Sequence, residues 1–313
     1  MIAPRISVMV PCYNARSFLA ECLDSIIGQN RTDMRIVVSD DCSTDGTQDI
    51  LREYERKYPN TIVAFYNVKN LGITRNCNQA LVACEGEYIS LFAGDDVMLP
   101  GKFDMQLDFM DSHPDVVMTY HAVEIFDSDT GKTTSITNVS SRLDTSDVGS
   151  IIRKLGIAGP MSIVFRRTSL PPGGYDEAIS VASDWLFQIQ VAATGRVVKL
   201  PGVWCRYRKH GVNNGKDLSS YKHEFVQTLE MVRSRFSDRQ DILDACRIGF
   251  ARLKAGDAFR ELYVSRHNSR AMLTEAMRQH RRLSYLLAYW ATWVPGIESI
   301  AGSQKEWLKR YLG

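Results

Sequence analysis

The sequence predicts an α/β protein: a Rossmann-like, mostly parallel sheet flanked by helices, with a helical C-terminal extension. Three observations carry that expectation. In the first hundred residues, short and continuously apolar runs alternate with stretches of helical periodicity, the pattern of parallel strands covered on both faces. The segments that follow those runs are polar, and two are acidic, as suits a fold that binds ligands beyond the carboxyl ends of its strands. Past Ser219 the pattern turns almost wholly helical, with arginine scattered through it.

The elements follow in order. Ile6–Val10 is an apolar strand closed by Pro11, and Phe18, Leu19, Cys22, Leu23, Ile26 and Ile27 recur at helical spacing until Gly28. Ile36–Ser39 is a second strand, and Thr47–Tyr58 is a helix with apolar Ile50, Leu51 and Tyr54. Ile62–Tyr66 and Tyr88–Phe92 read as strands on either side of a helix at Ile73–Ala83. Beyond them Val116–Tyr120 and His121–Phe126 read as strands, Asp127–Gly131 as a turn, and the Ser/Thr-rich residues 132–148 as a loop or cover. Met161–Arg166 is strand-like and leads to a turn at Pro171–Gly174. A helix begins near Asp184, and Val197–Leu200 and Trp204–Tyr207 again look like strands.

The chain has 313 residues, 44% hydrophobic and 24% charged, which excludes disordered and fibrous classes. Its net charge of +2 predicts no nucleic-acid partner, but the average hides a split. Residues 1–205 carry 18 basic and 25 acidic side chains, net −7, and residues 206–313 carry 20 and 11, net +9. Different partners for the two parts are expected. Seven scattered cysteines without a Cys-x-x-Cys pair read as reduced thiols of a cytoplasmic protein. No basic leader with an apolar core opens the sequence, so export is not indicated. The apolar run Leu283–Val294 is too short to span a bilayer, and the Asn138-Val139-Ser140 sequon is read as chance.

Two acidic clusters could carry chemistry. Asp95 and Asp96 directly follow the fourth strand, and adjacent carboxylates repel unless a cation compensates. Mg²⁺ or Mn²⁺ bridging carboxylates to substrate phosphates would do so, and a solvated acidic turn would equally explain the pair. Asp40-Asp41-Cys42-Ser43-Thr44-Asp45-Gly46-Thr47 reads in part as an Asx turn and helix cap. That leaves two carboxylates at the preceding strand end, where one can accept the N–H of a base edge. No G-x-G-x-x-G and no P-loop is present.

At VMVPCYNARSFLAECLDSI (8–26), VVSDDCSTDGT (37–47), NLGITRNCNQAL (70–81) and GEYISLFAGDDVMLP (86–100), the chain resembles family 2 glycosyltransferases of the GT-A fold. The resemblance covers residues 5–112 as the nucleotide-binding half. It implies that Pro11, Tyr13, Asn14 and Asp41 hold the nucleotide, with Tyr13 stacking on the base, and that Arg75 neutralises phosphate. It places Asp95 near the ribose and metal and makes Asp96 the metal ligand, although many relatives have a further Asp where this chain has Ala93. It divides the chain into a nucleotide-sugar half at 1–115, an acceptor half at 116–215 and a basic helical extension at 216–313.

In the acceptor half, Gly173-Gly174-Tyr175-Asp176-Glu177 followed by Ser183-Asp184-Trp185-Leu186 resembles the family's acceptor motif. Asp184 is then the general base of an inverting transfer, or else an N-cap of the helix near Trp185. Asp176 and Glu177 read as turn and framework residues. Arg206-Tyr207-Arg208-Lys209-His210, followed by Gly211 and Asn213-Asn214, suits a loop over a diphosphate. There Arg206 and Arg208 meet the diphosphate or acceptor and His210 the metal.

The implied activity is non-processive transfer of a hexose-type sugar from a nucleotide sugar, UDP favoured, to a glycan or lipid-linked glycan of a surface polysaccharide, with Mn²⁺ or Mg²⁺. The processive Gln-x-x-Arg-Trp motif is absent. A sugar-nucleotide pyrophosphorylase would want a Gly-rich N-terminal loop, and a non-catalytic scaffold would lack the acids. In the tail, Arg278, Arg281 and Arg282 flank a Leu/Trp-rich helix. It suits either peripheral contact with an anionic membrane on its inner face, through 278–294, or a core or homodimer interface.

Overall fold

The computed structural model describes residues 4–137, 144–211, 221–262, 264–294 and 296–297. The Asn138 sequon, Asn213-Asn214, the boundary drawn at 215/216 and residues 298–313 of the extension lie outside them. Strands β1 (Ile6–Cys12), β2 (Met34–Asp40), β3 (Ile62–Tyr66) and β4 (Tyr88–Leu91) lie in the order β3-β2-β1-β4, all parallel. They are joined through α1 (Leu19–Ile27), α2 (Thr47–Lys57) and α3 (Ile73–Leu81). The chain moves outward from β1 to β3 and then returns to β4 on the other side of β1. The crevice beyond β1 and β4 is therefore the topological switch point, where this fold takes its ligands.

Burial explains why the early strands are legible. Ile6, Val8 and Val10 join Leu19, Leu23 and Ile26 of α1 and Leu51 of α2 in one apolar cluster. The alternate residues Ser7 and Met9 are buried too, so β1 is covered on both faces.

Beyond β4 the sheet becomes mixed. β5 (Val97–Met98), β6 (Val116–Asp127), β9 (Val164–Arg166) and β10 (Arg196–Lys209) extend it in the order β4-β9-β6-β10-β5. There only β6 and β10 pair in parallel. Val116–Phe126, expected as two strands, is continuous. The two segments expected near residue 200 are likewise one strand, whose register shifts between Lys199 and Cys205. Pro201 and Gly202, the latter at φ 90°, interrupt the apolar pattern there without ending the strand. The Ser/Thr-rich segment contributes β7 (Thr133–Ile136) and β8 (Asp144–Ser146), paired with β6 and β10.

Helix α4 (Lys102–Ser112) occupies a stretch for which no element was expected, because two polar residues lie in its buried stripe. Gln106 donates to Thr119 Oγ1 (3.1 Å) and to the Ser162 carbonyl (2.9 Å). Fully buried Lys102 donates to Ser90 Oγ at 3.0 Å. The acceptor segments then provide α5 (Val148–Lys154) and α6 (Ser183–Ala192).

The chain divides into two compact units, Met1–Ile151 with Gly156–Thr228 and Ile152–Leu155 with Leu229–Gly313. After α7 (Lys222–Arg235), the second unit packs α8 (Gln240–Glu261), α9 (Arg266–Gln279) and α10 (Leu283–Ala291) around Ala251, Ala255, Ala258, Leu273, Ala276 and Tyr285. Alanines along α8 allow the close approach. Among the described residues no helix is long and apolar enough to cross a membrane, and all seven cysteines are unpaired.

Burial pushes Lys102 down from 10.5 to about 8. Below about 8 the folded state carries a buried ammonium. Between 8 and 10.5 the folded state has released its proton while the unfolded chain still holds one, so stability rises with pH. Lys102→Met should therefore resist urea better than the parent at neutral pH, with a gap that narrows on the way to 10.5; a gap independent of pH would contradict this origin.

Candidate active site

The carboxyl end of β1 joins the loops that follow β2 and β4. The Cys12 carbonyl accepts the Asp41 N–H (3.0 Å), and the Pro11 carbonyl accepts the Gly94 N–H (3.2 Å). Gly94 is required by that approach, since a Cβ there would lie 2.7 Å from Cys12 Cβ. Asn14, at φ 49°, ties the β1 loop to the β2 loop by accepting from Thr44 N–H and donating its own N–H to Ser43 Oγ. Asparagine tolerates that left-handed backbone better than most residues. Tyr13 beside it is 52% exposed, an aromatic face open to a planar ligand.

Asp41 is almost fully buried. Its carboxylate accepts the N–H groups of Leu71 (2.7 Å) and Gly72 (2.9 Å) and the Asn67 amide (3.1 Å), so it shapes the loop entering α3. Its Oδ2 accepts one bond and retains acceptor capacity. Asp45 accepts from the N–H and hydroxyl of Thr47, which accounts for it as a turn residue.

Residues far apart in sequence meet at the end of β4. Antiparallel pairing of β10 with β5 sets Arg206 opposite Val97, so the end of β10 lies against Asp95 and Asp96. The Arg208 N–H donates to Asp96 Oδ1 (2.9 Å), and its Nε donates to the Asp95 carbonyl (2.8 Å). The Arg208 guanidinium is buried between the rings of Phe18 and Phe126 and paired with Glu21. His210 Nε2 lies 3.1 Å from Asp95 Oδ2, with its ring 4.6 Å from that of Phe18. Arg206 turns toward Glu124 (3.3 Å) and the Gly131 carbonyl.

Asp96 itself is fully buried, and among the described residues its Oδ2 has no hydrogen-bond partner. Burial, reinforced by the neighbouring Asp95 charge, holds its carboxyl well above the ordinary range. An orphaned buried polar atom costs about 1–3 kcal/mol, and a cation is what such an oxygen lacks. Among the described residues no group of three or more His, Cys, Asp or Glu is arranged to hold a metal. Small divalent ions accept one or two carboxylates when phosphate oxygens complete the shell.

Helix α3 carries the other side of the site. Arg75, on its exposed face, pairs with Glu177 (2.9 Å). Thr74 Oγ1 lies 2.7 Å from the Ile179 carbonyl and 2.8 Å from Ser183 Oγ, and Asn78 brackets the backbone N–H and C=O of Tyr175. Gly174 lets Asn78 approach, since a Cβ would come within 2.6 Å of its Oδ1. Asp184 is not the N-cap of α6: Ala182 holds that position, and no side chain caps the helix. Asp184 is half-buried in the first turn. Burial raises its carboxyl, against the pull of the Trp185 N–H. Cys77 of α3, driven up to about 12 mainly by burial, also feels the charges of both Asp184 and Asp41.

Thr74, Asn78, Glu21 and Glu224 were not singled out by sequence. The first two, four apart on a helix, share one face, which is the signal that could have found them. Glu224 of α7 accepts the N–H groups of Ser180, Val181 and Ala182 and the Ser180 hydroxyl, fixing the turn that leads to Asp184.

Comparison with known proteins agrees with this architecture. The structure is similar to Staphylococcus aureus TarS 1–349 in complex with UDP-GlcNAc, with a TM-score of 0.63 at 20% identity over 92% of this chain and 79% of that one. It is also similar to the mannosyltransferase PcManGT of Pyrobaculum calidifontis in complex with GDP-Man and Mn²⁺, with a TM-score of 0.58 at 18% identity over 97% and 85% of the two chains. The fold is therefore GT-A. Residues 7–170 match the model of glycosyl transferase family 2, and the chain belongs to that family. An uncharacterised Mycobacterium tuberculosis protein is 30% identical over 210 residues, 66% of this chain and 59% of that relative's length. The match thus spans about three fifths of that relative. Bacillus subtilis TuaG, named for teichuronic acid biosynthesis, is 37% identical over 107 residues, covering 34% and 42% of the two chains.

Glu224→Gln puts an amide against backbone donors and should cost about 2 kcal/mol in urea denaturation. The Glu224 carboxyl is held below its ordinary range, chiefly by the Ser180 hydroxyl and the three N–H groups against the opposing effect of burial. Its contribution is therefore present above the unfolded value of 4.5 and fades as pH falls through the lower folded one. Equal stability of the two proteins at neutral pH would show that this clamp is unimportant.

Proposed function

We propose that this protein is an inverting, non-processive glycosyltransferase. It moves a hexose-type sugar from a nucleoside diphosphate sugar, a UDP-sugar in preference, to a hydroxyl of a glycan or lipid-linked glycan during surface-polysaccharide synthesis. The observation that carries the reading is the unpartnered Asp96 Oδ2 beside Asp95, at the switch point of a GT-A sheet. The names of TuaG and of the two nucleotide-sugar complexes support the substrate class.

Tyr13 offers its exposed ring to the base, and Pro11, Asn14 and Asp41 frame the pocket, with Asp41 Oδ2 accepting a base N–H. Arg75 is the exposed cation for the diphosphate, exchanging Glu177 for phosphate. Asp96 and Asp95 would hold Mn²⁺ or Mg²⁺, with His210 beside Asp95 at 3.1 Å. When bound, such an ion neutralises charge on the departing diphosphate. Arg208 acts by fixing the acidic pair in place, and Arg206 by bracing β10. Asp184 takes the proton of the acceptor hydroxyl as its oxygen attacks the anomeric carbon. The bond from that carbon to the diphosphate oxygen breaks, the nucleoside diphosphate leaves, and the configuration inverts. The donor half is residues 1–115 and the acceptor half residues 116–215. A cytoplasmic protein seated on the inner face of the cell membrane would meet a lipid-linked acceptor there.

Release of nucleoside diphosphate from a panel of nucleotide sugars, with EDTA, Mg²⁺ or Mn²⁺, tests the reading. A divalent ion should be required, and Asp96→Ala should lower turnover by about 10²–10³-fold. Unchanged turnover in Asp96→Ala would refute the metal role. Because the Asp184 carboxyl is raised, transfer should be lost as pH falls through a value above the ordinary 3.8 of aspartate. Asp184→Asn should lower transfer by about 10²–10⁴-fold while nucleotide-sugar binding, read by thermal shift, persists.

A further inference from the structure

The α9–α10 corner of the second unit carries three arginines and an apolar face that the transfer reaction does not use. Helix α10 is apolar apart from Ser284 and the hydroxyls of Tyr285 and Tyr289. One stripe, Tyr285, Ala288 and Tyr289, packs against α8 and α9. Arg270 fixes the end of the helix by donating to Thr292 Oγ1 (3.0 Å) and to the Thr292 carbonyl, with its guanidinium over the Trp293 ring. The opposite stripe is open to solvent. Leu283 is 70% exposed, Leu287 61% and Trp290 60%, with Leu286 and Val294 beside them. A short helix apolar on both faces, with one face docked, leaves the other to be covered by something.

Charge complementarity says what covers it. An open cavity of about 770 Å³ is lined by Met277, Arg278, Arg281, Arg282, Leu283 and Leu286. Other arginines of this unit are engaged locally: Arg239 with Asp241, Arg247 with Asp244, Arg260 with Asp257, and Arg270 with Thr292. Among the described residues Arg278, Arg281 and Arg282 have no ion pair, and all three are exposed. No acidic residue occurs between Glu275 and Glu298, and Glu275 is itself paired with Lys254 at 2.7 Å. The N-terminus of α10 opens beside the cavity at Arg282 with no side chain capping it, so its dipole adds to the positive field. Apolar side chains and exposed guanidinium groups lining one cavity suit a phosphate attached to a hydrocarbon chain, and Trp290 is a residue type that settles at headgroup depth.

We propose that this corner docks on an anionic phospholipid bilayer, with Arg278, Arg281 and Arg282 around a lipid phosphate and Leu283, Leu287 and Trp290 in the headgroup layer. The proposal gives residues to the membrane seating suggested for the transferase, but its test needs no donor, so each can fail without the other. The full chain is sedimented with vesicles of phosphatidylcholine alone or of phosphatidylcholine with phosphatidylglycerol. It should partition onto the anionic vesicles only, and more weakly as salt rises. Replacing Arg278, Arg281 and Arg282 by Gln, singly and together, should weaken partition about fivefold per arginine. Leu287→Ser with Trp290→Ser should weaken it as well. Far-UV circular dichroism checks that each variant is folded. Inorganic phosphate at matched ionic strength should not displace the protein; displacement would make the cavity a site for free phosphate and overturn the bilayer. Equal partition onto neutral vesicles, or no effect of the arginine variants, would also overturn it. So would self-association without lipid that is lost in Leu287→Ser with Trp290→Ser, which would make the face an interface between two copies.

Discussion

The arrangement depends on keeping two adjacent carboxylates at a strand end, one of them fully buried. Asp96 could not stay there on backbone geometry alone. It is held by the Arg208 N–H, while the Arg208 side chain reaches the Asp95 carbonyl and Glu21 from between two aromatic rings. A strand more than a hundred residues downstream therefore fixes the geometry at the end of β4. Among the described residues, three carboxyl groups, Glu21, Asp95 and Asp96, surround the Arg208 guanidinium, with the His210 ring beside Asp95. Asp96 Oδ2 has no partner among the described residues, and burial beside Asp95 makes its ionised form costly. The crevice where a Rossmann-like sheet receives ligands thus holds a carboxyl that a cation would stabilise in its ionised form, the condition under which a cation is taken up with an anionic substrate rather than stored in a closed protein cage.

This network also explains what sequence could and could not reveal. The first four strands and three helices were legible because each satisfies its pattern locally: Ile6, Val8 and Val10 against a covered face, Leu19, Leu23 and Ile26 on one stripe. The acidic residues were legible because they follow strands. Helix α4 was hidden because buried Lys102 and Gln106 interrupt its stripe, and their partners lie on β4, β6 and the segment before β9. In the mixed half of the sheet the strand segments were legible, but their continuity in β6 and β10 was hidden for a related reason. β10 is one strand only because β6 supports it through the irregularity at Pro201-Gly202, a tertiary fact that no local pattern records.

Individual site residues divide in the same way. Asp95 and Asp96 could be picked out as acids at a strand end, and Asp184 through the resemblance of its surroundings to the family's acceptor motif. That Arg208 would be a buried brace rather than a free loop cation, and that Glu224 would seat the turn before Asp184, depended on residues far away in the chain. Alternatives left open by sequence narrow accordingly. Asp184 lies inside the first turn of α6 with Ala182 at the cap position, so capping does not explain an acid there. Asp45, by contrast, is accounted for by its bonds to Thr47.

The charge division along the chain acquires a physical meaning from pairing rather than from counting. Much of the positive excess after residue 205 is spent locally. Arg208 is consumed by the acidic pair and Glu21, while Arg239, Arg247 and Arg260 are matched by aspartates close by in sequence. Among the described residues Arg278, Arg281 and Arg282 have no ion pair, and they lie next to the apolar face of α10. Before residue 206, Asp41, Asp45 and Asp111 are likewise held by backbone donors, hydroxyls or an ion pair, while buried Asp96 Oδ2 has no partner among the described residues. Among the described residues, the first unit thus has an unpartnered carboxyl oxygen beside a ligand crevice, and the second has arginines without an ion pair beside an exposed apolar helix. Opposite signs and different surroundings make it unnecessary for one ligand to satisfy both.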